Sequence, residues 1–385
     1  MDLLFSEEQT MLRDMTRRLC DDIVPLSVLR EIEGKEPGYS IDLWKSLAEV
    51  GILGVTIAPH FEGLGLGAME ALVIHEEFGR ALAFSPHFIS SLLAARLIDQ
   101  AGSDTQRKRW LPAIASGRSI VTVGSLEPGS SASIEGIYCQ ATKCADGFQL
   151  TGIKDFVPYA SSAEAVIVLA RIDSAPDAIV GLIVDLASQG VTRTYQPNHA
   201  REAQYQLEFA NVIVSLDNVL FGGENIATVW EDTMFRALVP LVAQAVGGAA
   251  RALEITVAYS KTREAFGKQI GGFQSIAHSL ADVAVEVEGC RLLAQQAAWA
   301  QDMGRPFRRL AAIAQLQAGE MYRRAAAVAI QVHGGIGFST AADPQLFFRR
   351  AKQLQLLNWS ADYLEERIAQ FTLQPSLDTG VQPCV

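Results

Sequence analysis

The sequence predicts an α+β protein in which helices come first, an antiparallel β-sheet follows, and helices return. Three observations predict it. Apolar residues recur every three to four positions toward both ends of the 385-residue chain, the period of a helix face. Between about residues 119 and 225 this gives way to short runs rich in β-branched residues, separated by Gly, Pro, Asp and Asn, as in strands and turns. The two kinds of segment do not alternate, so a parallel βαβ sheet is not expected. The chain is also longer than one core usually supports. The expected domains are an N-terminal helical domain over 1–118, a middle β domain over 119–225 and a C-terminal helical domain over 226–385.

The first helix is expected to start at Ser6, a good N-cap, with Glu7 and Glu8 in its first turn. Met11, Met15, Leu19 and Ile23 recur every four residues and mark its expected apolar face. IDLWKSLAEVGILG (41–54) reads as a helix that stops on glycine. HFEGLGLGAME (60–70) reads as a glycine turn before the helix ALVIHEEFGRAL. Its Gly63, Gly65 and Gly67 follow no strand, so they are not read as a dinucleotide fingerprint. SIVTVGSLEPGSS, GFQLTGIKDFV, EAVIVLARI and AIVGLIVDL supply strands. In the last third, Phe273, Ile276, Leu280, Val283, Val287, Cys290 and Ala294 form one stripe of a long helix.

Composition bounds the function. Hydrophobic residues make up 49% and charged residues 19%, enough for large cores. A net charge of −11 argues against nucleic acid or an anionic membrane as the main partner. Basic spots at Arg323–Arg324 and at Arg349, Arg350 and Lys352 still leave room for a phosphate-bearing ligand. The five cysteines are scattered, with no CxxC pair or Cys/His cluster. They suggest no metal site and fit a reducing, cytoplasmic setting. MDLLFSEEQ has acids where a signal peptide has basic residues, and no uncharged apolar run nears about 18 residues. Neither secretion nor a membrane span is expected.

Four segments in order, FSEEQ (5–9), LEPGSS (126–131), KTREAFGKQIGGFQ (261–274) and QVHGGIGF (331–338), resemble the acyl-CoA dehydrogenase family over nearly the whole chain. The resemblance implies an N-terminal helical domain, a middle antiparallel β domain and a C-terminal four-helix bundle. It implies FAD between the β domain and the C-terminal helices, reaching a neighbouring subunit. It also implies an acyl-CoA substrate, electron-transfer flavoprotein as electron acceptor, and assembly as a homo-oligomer or an α2β2 heterotetramer.

The residue chemistry agrees. Arg263 offers a fixed donor fork for phosphate oxygens, Gln274 an amide and Phe266 an aromatic face. Gly334 and Gly335 let backbone approach a ligand closely. By resemblance, Arg263, Phe266, Gln274 and Gln331 to Gly335 serve the FAD of the adjacent subunit. Ser360 and Asp362 are placed in the cofactor set as well. On the β side the resemblance points to Ser125, Leu126, Phe156, Val157 and Pro158. The family has a threonine where this chain has Leu126, and another where it has Pro158, which also lacks an N–H. Ser125, Ser130 and Ser131 are hydroxyls near the gap.

The family reaction removes a weakly acidic α-proton, which calls for a positioned carboxylate base. The position that usually carries this glutamate is Asn358, and asparagine accepts no proton at useful pH. The alternative base position is Ala237, with Leu238 where a family arginine stands. The nearest carboxylates are Glu231 and Asp232, which suit the acidic first turn of a helix, and Asp362, which suits a solvated helix face.

The leading expectation is FAD-dependent oxidation of an acyl-CoA at Cα–Cβ, alone or as the base-lacking subunit of a heteromeric dehydrogenase. FVP and QLL in their places look like the branch tied to bulky acyl-CoA or steroid side-chain catabolism. The alternatives are a flavoenzyme of the same fold with desulfinase- or monooxygenase-like chemistry, and a structural partner that binds no FAD.

Overall fold

The computed structural model describes residues 4–131, 133–173, 175–220, 226–357 and 359–379. Helices come first: α1 (Glu7–Ile23), α2 (Leu26–Ile32), α3 (Ile41–Glu49), α4 (Ala68–Ala81), α5 (Ala95–Ala101) and α6 (Asp104–Ala115). Eight strands follow: β1 (Val121–Gly124), β2 (Gln140–Cys144), β3 (Gly147–Pro158), β4 (Ala165–Ile172), β5 (Ala175–Asp185), β6 (Val191–Tyr195), β7 (Gln204–Ser215) and β8 (Val219–Leu220). The chain then returns to helix as α7 (Ile226–Thr262). A hairpin of β9 (Glu264–Ala265) and β10 (Lys268–Gln269) leads to α8 (Gln274–Asp302), α9 (Arg308–His333), α10 (Pro344–Leu356) and α11 (Ala361–Leu373). The expected order of helices, sheet and helices is the observed one.

By contacts the chain forms two compact units. One comprises Met1–Arg30, Ala68–Ala83 and Leu238–Gly380, and the other Glu31–Gly67 and Phe84–Ala237.

The second unit is built on the sheet β6-β7-β3-β2-β4-β5-β8, with β1 also on β4. Its pairings are antiparallel except that β1 and β2 each run parallel to β4. Chain path explains the exception. β1 pairs with residues 165–168 of β4, and β2 pairs with Arg171 and Ile172. The two strands thus lie end to end along one edge of β4, joined by the segment 125–139. Buried from Ala165 to Ala170, β4 needs the continuous apolar run AVIVLA. The glycines at 63, 65 and 67 lie in the turn leading to α4, as expected.

A π-helical turn over Phe88–Ala94 follows the wholly buried His87, whose Nε2 lies 3.0 Å from the Ile52 carbonyl. Burial pushes the imidazole down from 6.5 to about 4. The folded protein therefore keeps this ring neutral, and the unfolded chain binds the proton first. Stability from His87 is complete above pH 6.5 and is lost as pH falls from 6.5 toward 4, by about 3 kcal/mol at the lower end. His87→Gln, which keeps a donor but does not titrate, is expected to flatten the fall of Tm over that window. An unchanged slope would rule this out.

In the first unit α7 is the central element. It is the one helix among the described residues long and apolar enough to cross a membrane, and its apolar stretch is mostly buried within the fold. Its Gly247 and Gly248 set how closely neighbours approach. A Cβ on Gly247 would lie 1.8 Å from the Glu76 carbonyl oxygen of α4, and one on Gly248 would lie 2.3 Å from the Tyr322 hydroxyl of α9. On α4, Gly79 does the same in return, since a Cβ there would lie 2.1 Å from the Gln244 carbonyl oxygen.

Ser6 caps α1 as expected, in a capping box with Gln9. The buried face of α1 differs from expectation. Thr16 and Cys20 are its buried residues, and Met11 is 72% exposed. The reason lies across the helix pair. Arg17 reaches the buried Glu77 of α4 with two hydrogen bonds of 2.7 and 2.8 Å, so α1 turns its small residues inward beside that pair. On α8 the expected stripe is buried from Leu280 to Ala294, while Phe273 and Ile276 at its start are half-buried. Two helix starts are capped from far along the chain. Asp302 accepts from Ala68 N and Met69 N of α4, and the buried Asp378 accepts from Arg309 N of α9 at 2.9 Å.

Candidate functional site

On the sheet unit, the candidate residues lie where the 125–131 loop meets the end of β3. Leu126 forms an isolated antiparallel bridge with Asp155, whose N–H donates to the Leu126 carbonyl at 2.9 Å. A bulge between Lys154 and Val157 then bends β3. Within it Phe156 takes φ +51°, unusual for an aromatic residue, and is exposed. Its N–H donates to the Gln196 side chain at 2.7 Å, and Asp155 Oδ1 accepts from Gln196 and Gln206 at 3.0 and 2.8 Å. Val157 is buried, so only its main chain can face a ligand. Thr122 of β1 donates to the Pro158 carbonyl at 2.6 Å. The segment is thus held by polar groups from behind and presents apolar side chains at Leu126 and Pro158.

The three serines near the missing threonines separate. Ser130 closes a turn with Glu127, accepting from its N–H and donating to its carbonyl, and Ser131 pairs with Ser133 at 2.9 Å. Half-buried Ser125 makes no side-chain hydrogen bond among the described residues, so its hydroxyl remains able to serve a ligand.

On the helical unit, Phe266 and Gly267 form the two-residue turn of the β9–β10 hairpin, with φ of +52° and +79°. This is the primed type of turn that matches strand twist. Phenylalanine there is strained, and its ring is 98% exposed. Phe273 meets it edge-on, with centroids 6.3 Å apart. Lys268 Nζ lies 4.2 Å from the Phe273 ring centre and also donates to the Gly272 carbonyl. Gln274 is exposed in the first turn of α8, and Arg263 is exposed just beyond α7.

Tyr259 of α7 stacks on His333 at the end of α9, with ring centres 4.2 Å apart, while His333 Nδ1 bonds the Ala329 carbonyl. That stack ties the helix end carrying Arg263 to the one carrying Gln331, Gly334 and Gly335. Gly334 has φ +63° and ψ −142°, a conformation essentially reserved for glycine. The space above both glycines is open. Gln331 also lines a groove of about 740 Å³ between α8 and α9. Ser360 caps α11, accepting from Tyr363 N at 3.3 Å, and exposed Asp362 lies in its first turn. An open cation, an exposed aromatic face and a bare glycine turn suit a dinucleotide phosphate and base.

Asn358 lies outside the described residues. The alternative base position offers no carboxylate, because Ala237 and Leu238 are both buried and apolar. Asp232 is committed elsewhere. It is buried between Arg236 at 2.7 Å and Arg96 at 2.9 Å. Burial alone would raise its carboxyl, but the two guanidiniums outweigh it and hold Asp232 below the ordinary carboxylate value. Nor do Glu231 and Asp232 form a helix's first turn, since α7 begins at Ile226. The position of Asp232 one turn before Arg236 suits an i,i+4 ion pair.

Comparison with known proteins decides the family. The pattern of the acyl-CoA dehydrogenase N-terminal domain matches residues 6–118, and that of the C-terminal domain matches residues 234–373. The chain belongs to the acyl-CoA dehydrogenase family. It is an oxidoreductase of the type that acts on CH–CH groups, and FAD is the cofactor of that family. The probable acyl-CoA dehydrogenase YngJ of Bacillus subtilis is 29% identical over 92% of this chain and 95% of its own length. The ChsE4–ChsE5 complex of Mycobacterium tuberculosis superposes with a TM-score of 0.87 at 28% identity, covering 97% of this chain and 99% of that one. A variant of the steroid ACAD Tcur3481–Tcur3483 gives 0.86 at 28% identity, covering 96% and 99%.

Sequence reasoning missed the polar supports of this acyl-CoA dehydrogenase: Thr122, Gln196, and the buried pair of Glu127 and Lys154, 2.5 Å apart. One signal was available. A lysine inside the strand GFQLTGIKDFV, with a glutamate inside LEPG, invites a buried pairing.

Proposed function

We propose that this chain is the base-lacking subunit of a heteromeric, FAD-dependent acyl-CoA dehydrogenase, divided at 118/119 and 225/226. A homologous partner subunit supplies the glutamate that takes the α-proton. The carrying observation is the arginine-locked Asp232 beside the buried, apolar Ala237: no free carboxylate stands at the alternative base position, and the usual one is asparagine. The two-name complexes among the similar structures, one described as a steroid ACAD, support both the heteromer and a bulky acyl-CoA substrate.

FAD, when bound, supplies the hydride acceptor. Arg263, Phe266, Gln274 and Gln331 to Gly335 hold the FAD of an adjacent subunit. Ser125, Leu126 and the 156–158 segment face the flavin ring of the subunit's own site, with Ser125 supplying the hydroxyl that Leu126 and Pro158 lack. Ser360 and Asp362 lie at the edge of the cofactor set. Electrons pass on to electron-transfer flavoprotein, and the setting is cytoplasmic.

The test is co-expression with a glutamate-bearing homologue, followed by anaerobic addition of acyl-CoA. Flavin absorbance is expected to bleach with the partner and to persist without it. Persistence in both cases would overturn the dehydrogenase reading, and colourless protein would favour a structural partner. Arg263→Ala is expected to weaken FAD retention at least about tenfold, through loss of a charge-assisted phosphate contact. Unchanged flavin content after dialysis would remove Arg263 from the site.

A further inference from the structure

Behind the segment that carries Leu126 and Phe156 lies the ion pair of Glu127 and Lys154. Their side chains are 4% and 1% exposed. Burying two charges is costly and is repaid only by good geometry, and a well-packed apolar pair would often hold strands together as well. Here the geometry is fully used. Lys154 Nζ lies 2.5 Å from Glu127 Oε1 and also donates to the Leu169 carbonyl of β4 at 3.0 Å. Glu127 Oε2 accepts from the N–H groups of Tyr138 and Cys139, both at 2.9 Å. Gly124 of β1 leaves room for the lysine stem, since a Cβ there would lie 3.1 Å from Lys154 Cγ.

The pair therefore joins four pieces of chain: the 125–131 loop, the approach to β2, β3 and β4. Glu127 is next in sequence to a residue of the candidate surface, and Lys154 is next to the residue that bridges to it. Glu127 follows Leu126, and Lys154 precedes Asp155, which bridges Leu126. A one-residue slip of this loop on β3 would turn each side chain to the opposite face. A charge pair with four directed hydrogen bonds resists such a slip in a way that apolar packing does not.

We propose that Glu127 and Lys154 are positioning residues for the flavin-facing surface, fixing the loop against β3 so that Leu126 and Phe156 to Pro158 are presented together. This rests on the cofactor reading above and adds two residues that act through their neighbours.

The test compares Glu127→Gln and Lys154→Met with Arg17→Met, which breaks a different ion pair on the helical unit. FAD affinity and the visible circular dichroism of bound flavin are measured at a temperature where far-ultraviolet spectra show every protein folded. Lys154→Gln, which keeps a donor for the Leu169 carbonyl, replaces Lys154→Met if the latter does not fold. The Glu127 and Lys154 variants are expected to bind FAD about tenfold or more weakly, with an altered visible band, as small misplacements in a site produce. Arg17→Met should lose thermal stability and keep both properties. Folded variants with wild-type affinity and band would overturn the positioning role alone. A wild-type protein that binds no FAD would overturn the cofactor reading and this role together.

Discussion

Gly247→Val is expected to destabilise the helical unit severely. The first atom of the new side chain would lie 1.8 Å from the Glu76 carbonyl oxygen, and that neighbour is helix backbone, which cannot swing aside. The reciprocal contact of Gly79 with Gln244 closes the other escape, because α4 cannot slide along α7 without a second collision. Overpacking against side chains costs about 1–3 kcal/mol, and a backbone clash of this depth belongs with the exceptional losses of about 4 kcal/mol or more. For a unit of this size that is a fall in Tm of roughly 10 °C or more. Gly289→Ala on α8 is the matched control. Nothing lies within 4 Å of the new methyl, so the helix should gain up to about 1 kcal/mol in the isolated subunit. Thermal unfolding of the two variants side by side checks both signs. A soluble Gly247→Val protein with wild-type Tm would mean that the helices do not cross as described.

The second large effect concerns chemistry. Asn358→Glu is expected to let the chain oxidise an acyl-CoA without a partner, raising the rate of flavin bleaching by about 10²–10⁴-fold, the usual contribution of a positioned general base. Asp232→Asn in the same background should leave that rate unchanged, because a carboxylate held between two arginines is already a poor proton acceptor. A folded, flavin-bearing Asn358→Glu protein that bleaches with no acyl-CoA would show that position 358 does not reach the α-carbon. Loss of the gained activity in the Asp232→Asn background would return Asp232 to candidacy as a base.

What could be read from the sequence was whatever depends on local repetition. The α8 stripe from Leu280 to Ala294 follows the helix period, and β4 announces itself as AVIVLA. Gly334 was read as a place where backbone comes close to a ligand, and the structure gives it positive φ with open space above it. On α1 the expected stripe is half-buried at Met15, Leu19 and Ile23, but Met11, which has the same spacing, is exposed, and the fully buried residues are Thr16 and Cys20. Which side turns inward was decided by Glu77, sixty residues away from Arg17. The parallel joins on β4 and the bond of Thr122 to the Pro158 carbonyl likewise depend on segments distant in sequence. On the candidate site, residue types were legible from motifs. Their supports were not, since a lysine in a strand does not declare which carboxylate it will meet.

The cap on α9 bears on how the protein is made. The amide of Arg309 finds its acceptor on Asp378, a residue synthesised 69 positions later. While the chain is still emerging, α9 can coil but its first turn has an unanswered N–H and no anion at its positive end. At synthesis rates of about 5–20 residues per second, that interval lasts some seconds. The nascent helical unit then exposes the start of one of its longest helices. Docking of the Pro375–Thr379 turn is thus a late closing step, and a chain shortened before residue 378 should depend more heavily on chaperones during translation than its small loss of sequence suggests.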